Sequence, residues 1–324
     1  MLPASGTIGC NVANIAMDAD ARVAPGPAWD TRDRSPRWAG AQVVSANLTR
    51  RLFAEFLGSA FLGALVIGSG IAAAKLSPGN VGLELFECAA VVGAGLYTII
   101  LMIGPVSGGH VNPVVSLVDA SFGGLRWRDA FAYIPAQVCG CVAGAIVANG
   151  MFARSAVSIA TTHRASGAHL LAEVVATLGL LLVIFSLART RRAASAPAAV
   201  GAYIAAACFF TSSSVCANPA LAVGRIFSNS FAGFAPASVT AFVAAELVGG
   251  LVAIAVVRIL YPGVTAQDAA RVLMPHAGAA RSGPDGGGAA VAAAKASVDG
   301  ATRSEVGVAR ARRRPLRLRR RVRS

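Results

Sequence analysis

Between residues 52 and 260 the chain alternates long apolar runs with short polar or glycine-rich breaks. Six runs stand out, at 52–74, 83–104, 129–151, 169–188, 197–214 and 237–260. Each is close to the roughly 20 residues that an α-helix needs to cross a bilayer core of ~30 Å. Two shorter pieces, 112–121 (NPVVSLVDAS) and 218–228 (NPALAVGRIFS), cannot span. Both open with Asn-Pro, a pair that normally marks a solvated turn, yet both sit among apolar runs. Asn at the N-cap and Pro at the first helical position also start a helix well. The pattern therefore predicts two half-helices that enter the membrane and return. Such backbone is tolerated at depth only inside protein or along a wet cavity.

The two halves repeat one another. AEFLGSAFLG opens the first run and AEVVATLGLL the fourth, which aligns Glu55 with Glu173. HVNPVVS and CANPALA occupy matching gaps, and PAQVCG matches AAELVG, which aligns Gln137 with Glu246. The offsets are 118, 106 and 109 residues, three signals in one order at nearly one spacing, so the chain contains an internal duplication. Each half has three spans, an odd number, so the second half runs through the membrane upside down. The expected fold is an all-α membrane protein with six transmembrane helices plus two re-entrant half-helices, in an inverted three-helix repeat. Its boundaries are 48–262, with repeat 1 over about 48–152 and repeat 2 over about 166–262. The two Asn-Pro segments then meet tip to tip at mid-membrane.

Composition agrees with that reading. The chain is 55% hydrophobic and 14% charged, with a mean hydropathy of +0.63, whereas soluble domains are about 25% charged. The net charge of +14 is unevenly spread. Residues 1–47 carry four Arg and four acids, residues 48–262 carry twelve basic and seven acidic groups, and residues 263–324 carry thirteen and four. The first segment lacks the unbroken apolar core of a signal peptide and reads as a disordered extension. The last reads as a disordered tail ending in RARRRPLRLRRRVRS, a run suited to anionic lipid. It has no aromatic residues for base stacking, so nucleic acid is not expected as a partner. Near the helix ends one side collects Arg50, Arg51, Arg126, Arg128, Arg189, Arg191, Arg192 and Arg258, against Lys75, Arg154, Arg164 and Arg225 on the other. The bias predicts cytoplasmic termini; the membrane expected is a bacterial inner (plasma) membrane.

The chemistry available in the spans is sparse. Cys10, Cys88, Cys139, Cys141, Cys208 and Cys216 show no metal-type spacing, and His110, His163, His169 and His276 do not cluster. No metal, cofactor or enzymatic constellation is expected. The half-helix starts at Asn112-Pro113 and Asn218-Pro219 each present about +0.5 of an elementary charge. Facing one another they repel cations, while the Asn amides can donate to an oxygen on a neutral solute. Cys216, two residues before Asn218, is the cysteine expected at the pore mouth; a mercurial block should then disappear in Cys216→Ser.

The motifs SGGHVNPVVSL and CANPALAVGR, with the paired Glu55 and Glu173, resemble the aquaporin, or major intrinsic protein, family over about 48–262. The pore motif falls on Asn112, Pro113 and Val114 and on Asn218, Pro219 and Ala220; Val114 departs from the family's usual Ala. The resemblance implies a homotetramer with one pore per protomer, and it implies that Glu55 and Glu173 hold the loops bearing the motifs. A buried carboxylate needs several donors, and re-entrant loop N–H groups are the nearest supply. Glu246 has no obvious basic partner and stays open, and His110 either packs or lines the pore.

The family usually places an Arg three residues after the second Asn; here that position is Leu221, and Arg225 comes one turn later. Spacing from the motifs puts the other selectivity-filter positions at Val92, Ala206 and Val215. A filter of Val, Ala, Val and Leu offers no donor fork, which disfavours strict water selectivity. The expected function is passive passage of small neutral solutes: water, glycerol-type polyols and undissociated metalloid acids such as arsenite. The pattern resembles bacterial channels associated with arsenic resistance. A water-selective aquaporin and an ion-coupled secondary transporter are the competing readings.

Overall fold

The computed structural model describes residues 46–190 and 192–262. The expectations for 1–45 and 263–324, with Cys10, His276 and Arg191, lie outside the described residues. Among the described residues eight α-helices are formed: α1 (Leu48–Leu76), α2 (Val81–Ser107), α3 (Pro113–Ser121), α4 (Trp127–Met151), α5 (Gly167–Arg189), α6 (Ala196–Phe210), α7 (Pro219–Gly224) and α8 (Pro236–Leu260). A single 3₁₀ turn, Arg225–Phe227, continues α7. Six helices are long and apolar enough to cross a membrane.

Local chemistry sets the helix starts. The Asn47 side chain accepts from the Arg50 amide, Asn80 from Leu83 and Ser166 from His169, each satisfying a first-turn N–H that has no helical partner. Asn112 caps α3 through the Val114 amide, and Asn218 caps α7 through the Ala220 and Leu221 amides. Gly108 ends α2 at a φ of 96°, a left-handed cap that glycine adopts without a Cβ penalty.

The packing repeats across the halves. α1 lies mainly against α4 and α2, α5 against α8 and α6, and α2 meets α6 across the halves. Each half-helix is shared: α3 rests on α4 and α8, α7 on α8 and α4, and the two touch each other. Small residues permit the close approach. A Cβ added to Gly224 of α7 would stand 2.8 Å from Cys141 Cβ on α4, and one added to Gly249 of α8 would stand 2.8 Å from the Val174 carbonyl of α5. The side chains on the outer faces, Phe53, Phe131, Leu171 and Leu251 among them, are exposed and apolar, as lipid contact requires.

One helix is shorter than its apolar run. The sequence supports a helix over 197–214, but α6 stops at Phe210, where Thr211 turns extended. Residues 211–217 then descend as irregular chain, with Ser214, Val215 and Ala217 at φ of 58°, 47° and 49°. An apolar composition cannot distinguish the end of a helix from a loop that is itself buried.

Candidate functional site

The tips of α3 and α7 form the centre of the molecule. Nδ2 of Asn112 donates to the Ala217 carbonyl at 2.7 Å, and Nδ2 of Asn218 donates to the Val111 carbonyl at 2.8 Å. Each Oδ1 is the cap acceptor already described, which fixes the orientation of both amides. One N–H of each amide remains for a solute. Pro113, Val114, Pro219 and Ala220 are buried in the first turns behind these amides.

The accepting carbonyls belong to strained residues. Val111 and Ala217, the residues preceding the two Asn, have φ of 44° and 49°, a region that costs a non-glycine residue about 1–3 kcal/mol. Two buried carboxylates hold them there. Glu55 accepts from the His110 and Val111 amides at 3.0 and 2.7 Å, and Glu173 accepts from Cys216 and Ala217 at 3.0 and 2.7 Å. Glu55 also takes bonds from Ser107 Oγ and Gln137 Nε2. Glu246 accepts from the Asn218 amide at 2.9 Å, a backbone partner in place of the basic one the sequence does not supply.

On the side of the chain ends a further chain of contacts leads to Glu55. Asp129 pairs with Arg51 at 3.1 Å, Arg51 Nε donates to the Tyr133 hydroxyl, and Tyr133 donates to the Ser107 carbonyl. His110 both packs and lines the cavity: Nδ1 lies 3.0 Å from Ser116 Oγ, and Nε2 lies 3.5 Å from Asp119.

A cavity of about 950 Å³, counting its open end, runs past these tips. Val92, Val215 and Leu221 line it, as do Asn112, Asn218 and Cys216. Ala206 does not: it is exposed on the outside of α6, whose cavity-facing residues are Val200, Ile204 and Cys208. Two residues are about 200° around a helix, so Ala206 and Ile204 face opposite ways. The cavity-facing α6 side chain at the depth of Val92 is instead Ile204, because Gly93 beside Val92 packs on Gly201 and Ala205, while Cys208 lies one turn further along α6. The error in the sequence reading came from counting back from Asn218 as if α6 and the following loop kept the family's usual lengths.

Two features of the mouth opposite the chain ends escape sequence reasoning. Cys88 on α2 and Cys208 on α6 line the cavity together with Cys216, so three cysteines, not one, stand on its wall. The mouth also carries two guanidiniums, Arg225 and Arg164. Arg225 is buried, donates through Nε to the Ala232 carbonyl, and stands 3.6 Å from the Phe234 ring centroid. Arg164 donates to the Phe231 carbonyl at 3.0 Å and lies 5.4 Å from the same centroid. Burial, then the field of Arg225, push the Arg164 guanidinium down to about 10. Apolar Val92, Ile204, Val215 and Leu221 thus line the same cavity as two guanidiniums, Arg225 standing one helical turn past Leu221. Among the described residues no group of three or more His, Cys, Asp or Glu is arranged to hold a metal ion.

Comparison with known proteins places this architecture. The model of the family described as major intrinsic protein matches residues 42–234. Aquaglyceroporin AqpS of Rhizobium meliloti (strain 1021) is 43% identical over 212 residues, which is 65% of this chain and 90% of that protein. Aquaporin-5 of Ovis aries is 30% identical over 156 residues, 47% of this chain and 57% of the relative. Among solved structures, the aquaglyceroporin from Plasmodium falciparum shares the fold with a TM-score of 0.53 at 20% identity, over 67% of this chain and 99% of that one. Six spans, two half-helices joined at their Asn caps and a matching family model over more than half its length lead to one assignment: the chain belongs to the major intrinsic protein family, and it is a passive membrane channel rather than an enzyme.

Proposed function

We propose that this channel is an aquaglyceroporin-type facilitator that passes glycerol-sized polyols and undissociated metalloid acids such as arsenite, with water alongside. The observation that carries the reading is the apolar lining that Val92, Ile204, Val215 and Leu221 give the cavity. A water molecule crossing it exchanges hydrogen bonds with bulk for none from these side chains, whereas a solute with a carbon face loses less. At the centre the free N–H of Asn112 and of Asn218 receives the solute's oxygen. The half-helix starts, meeting there, disfavour cations and protons.

Several properties accompany the proposal. The functional unit is a homotetramer, each protomer with its own pore. The membrane is the bacterial inner (plasma) membrane, both termini are cytoplasmic, and the basic tail rests on anionic lipid. The mouth bearing Arg164 and Arg225 then opens to the outside.

The test is stopped-flow light scattering on proteoliposomes, comparing water, glycerol and arsenite in wild type and Leu221→Arg. Fast glycerol entry that the substitution suppresses supports the reading. Fast water with negligible solute flux replaces it with a water-selective pore, and uptake that tracks an imposed proton gradient replaces it with a coupled transporter.

A further inference from the structure

The vestibule outside the apolar stretch has chemistry that a neutral-solute pore does not require. Arg164 comes from the loop between α4 and α5, and Arg225 from the turn after α7. Their guanidinium carbons lie 5.4 and 3.6 Å from one ring centroid, that of Phe234, so they are at most the sum of those distances apart. Two like charges so placed repel each other, and a structure normally answers with a carboxylate. Here none of the described acids is within ion-pair distance of either guanidinium. Glu84 and Glu87, on the neighbouring end of α2, are turned to the Gly79 amide and the Ser77 hydroxyl.

Donors are left over as well. Arg225, 5% exposed, uses Nε for the Ala232 carbonyl, and its two terminal nitrogens donate to no described protein atom. Arg164 uses one terminal nitrogen on the Phe231 carbonyl, while its buried Nε has no acceptor. Stacking on Phe234 holds both planes in place without using their donors. Around them the wall is apolar, with Leu85, Val215, Phe231 and Ala232 lining the same cavity.

We propose that this vestibule binds one small oxyanion with an apolar substituent, a carboxylate or sulfonate, between Arg164 and Arg225. Charge-assisted bonds from the unused guanidinium donors hold the anionic end, and the apolar wall takes the substituent. The anion does not pass. Beyond it lies the apolar stretch lined by Val92, Ile204, Val215 and Leu221, which offers no charge and no donor fork to replace hydration. A bound anion therefore sits across the entrance and slows neutral solutes. The binding itself stands apart from the glycerol reading; only the slowing of flux rests on it.

The test uses the full-length protein and methanesulfonate, a permanent monoanion, against dimethyl sulfone, its neutral near-isostere. Chloride replacement keeps ionic strength constant. In detergent, methanesulfonate is expected to raise the thermal midpoint saturably, with half-effect in the ~1–10 mM range of a wet, doubly charge-assisted site. In proteoliposomes, glycerol entry is expected to fall at least about threefold over the same range, as occlusion of a single-file entrance requires. Dimethyl sulfone does neither. Arg164→Gln weakens the half-effect at least about tenfold, in keeping with loss of one charge-assisted contact, whereas Arg164→Lys keeps much of it.

Equal effects of sulfonate and sulfone on the wild type overturn the proposal, as does an unchanged half-effect in Arg164→Gln. Arg225→Gln is expected to weaken the half-effect as Arg164→Gln does; should it fail to fold, the Arg164 pair alone decides. A wild type that shows the saturable midpoint shift but passes no glycerol overturns the channel's assigned solute and leaves the anion site standing.

Discussion

Asn112 and Asn218 each donate to the carbonyl of the residue that precedes the other, at 2.7 Å to Ala217 and 2.8 Å to Val111. The two halves of the duplication are therefore tied at their tips by a reciprocal pair of bonds, and each Asn is both cap and strap. Asn218→Ala removes the acceptor of the Ala220 and Leu221 amides and leaves the buried Val111 carbonyl without its donor. A lost cap costs about 1 kcal/mol and an orphaned buried group about 1–3 kcal/mol. The variant should melt lower in detergent and pass solute more slowly. Asn112→Ala should do the same. The double variant should lose less than the sum, because the two straps close one junction.

Glu173 accepts from two successive amides, Cys216 and Ala217, and Glu55 does the same at His110 and Val111. Glu173→Gln keeps the volume but replaces one acceptor oxygen by an NH₂ that faces donors. The left-handed Ala217 loses its clamp, and its strain of about 1–3 kcal/mol is no longer compensated. Folded yield and melting temperature should both fall. Glu173→Asp, which keeps two acceptors on a shorter stem, should retain more of each. Equal stability of the Gln variant and wild type would show that the carboxylate is not what holds the loop.

The inverted fold was legible from the sequence because its signals are repeated and local. Asn-Pro starts, run lengths and the Glu55/Glu173 pairing each report on adjacent residues or on duplication, and α3 starts at Pro113 and α7 at Pro219 as that pattern requires. The lining of the cavity was legible only in part. Val92, Val215 and Leu221 lie on it, but Ala206 points away. α6 is apolar on every side, so no polar stripe marks which face meets the cavity and which meets lipid. Arg164 was also hidden. It lies more than fifty residues before Arg225, in a loop, and only the folded chain brings both to Phe234.

The face of α6 can be settled by size. Ile204→Phe adds a ring to the cavity at the depth of Val92. Glycerol entry should fall at least about tenfold, and water entry less, as for any narrowing of a single-file pore. Ala206→Phe places the same ring on the exposed side of the helix. Its glycerol rate per folded protein should stay within about twofold of wild type, in line with surface substitutions away from the site. The opposite ranking would return the filter to Ala206.

Mercurial sensitivity separates one thiol from three. The sequence singles out Cys216, a residue on the cavity wall whose Sγ donates to the Asn218 carbonyl at 3.5 Å. Yet Cys88 and Cys208 line the same cavity, and Cys208 stands on the helix face that meets the filter. Cys139 and Cys141 serve as internal controls, one exposed on the outside of α4 and one buried in the α4 contact with Gly224. With a small mercurial, Cys216→Ser should therefore leave a substantial part of the block. The triple replacement of Cys88, Cys208 and Cys216 by Ser should remove it, while Cys139→Ser should leave it unchanged. The measurement is initial glycerol entry before and after mercurial, with reversal by a thiol reductant to separate block from denaturation. Complete protection by Cys216→Ser alone would mean that the other two cysteines, although on the wall, do not meet the permeation path.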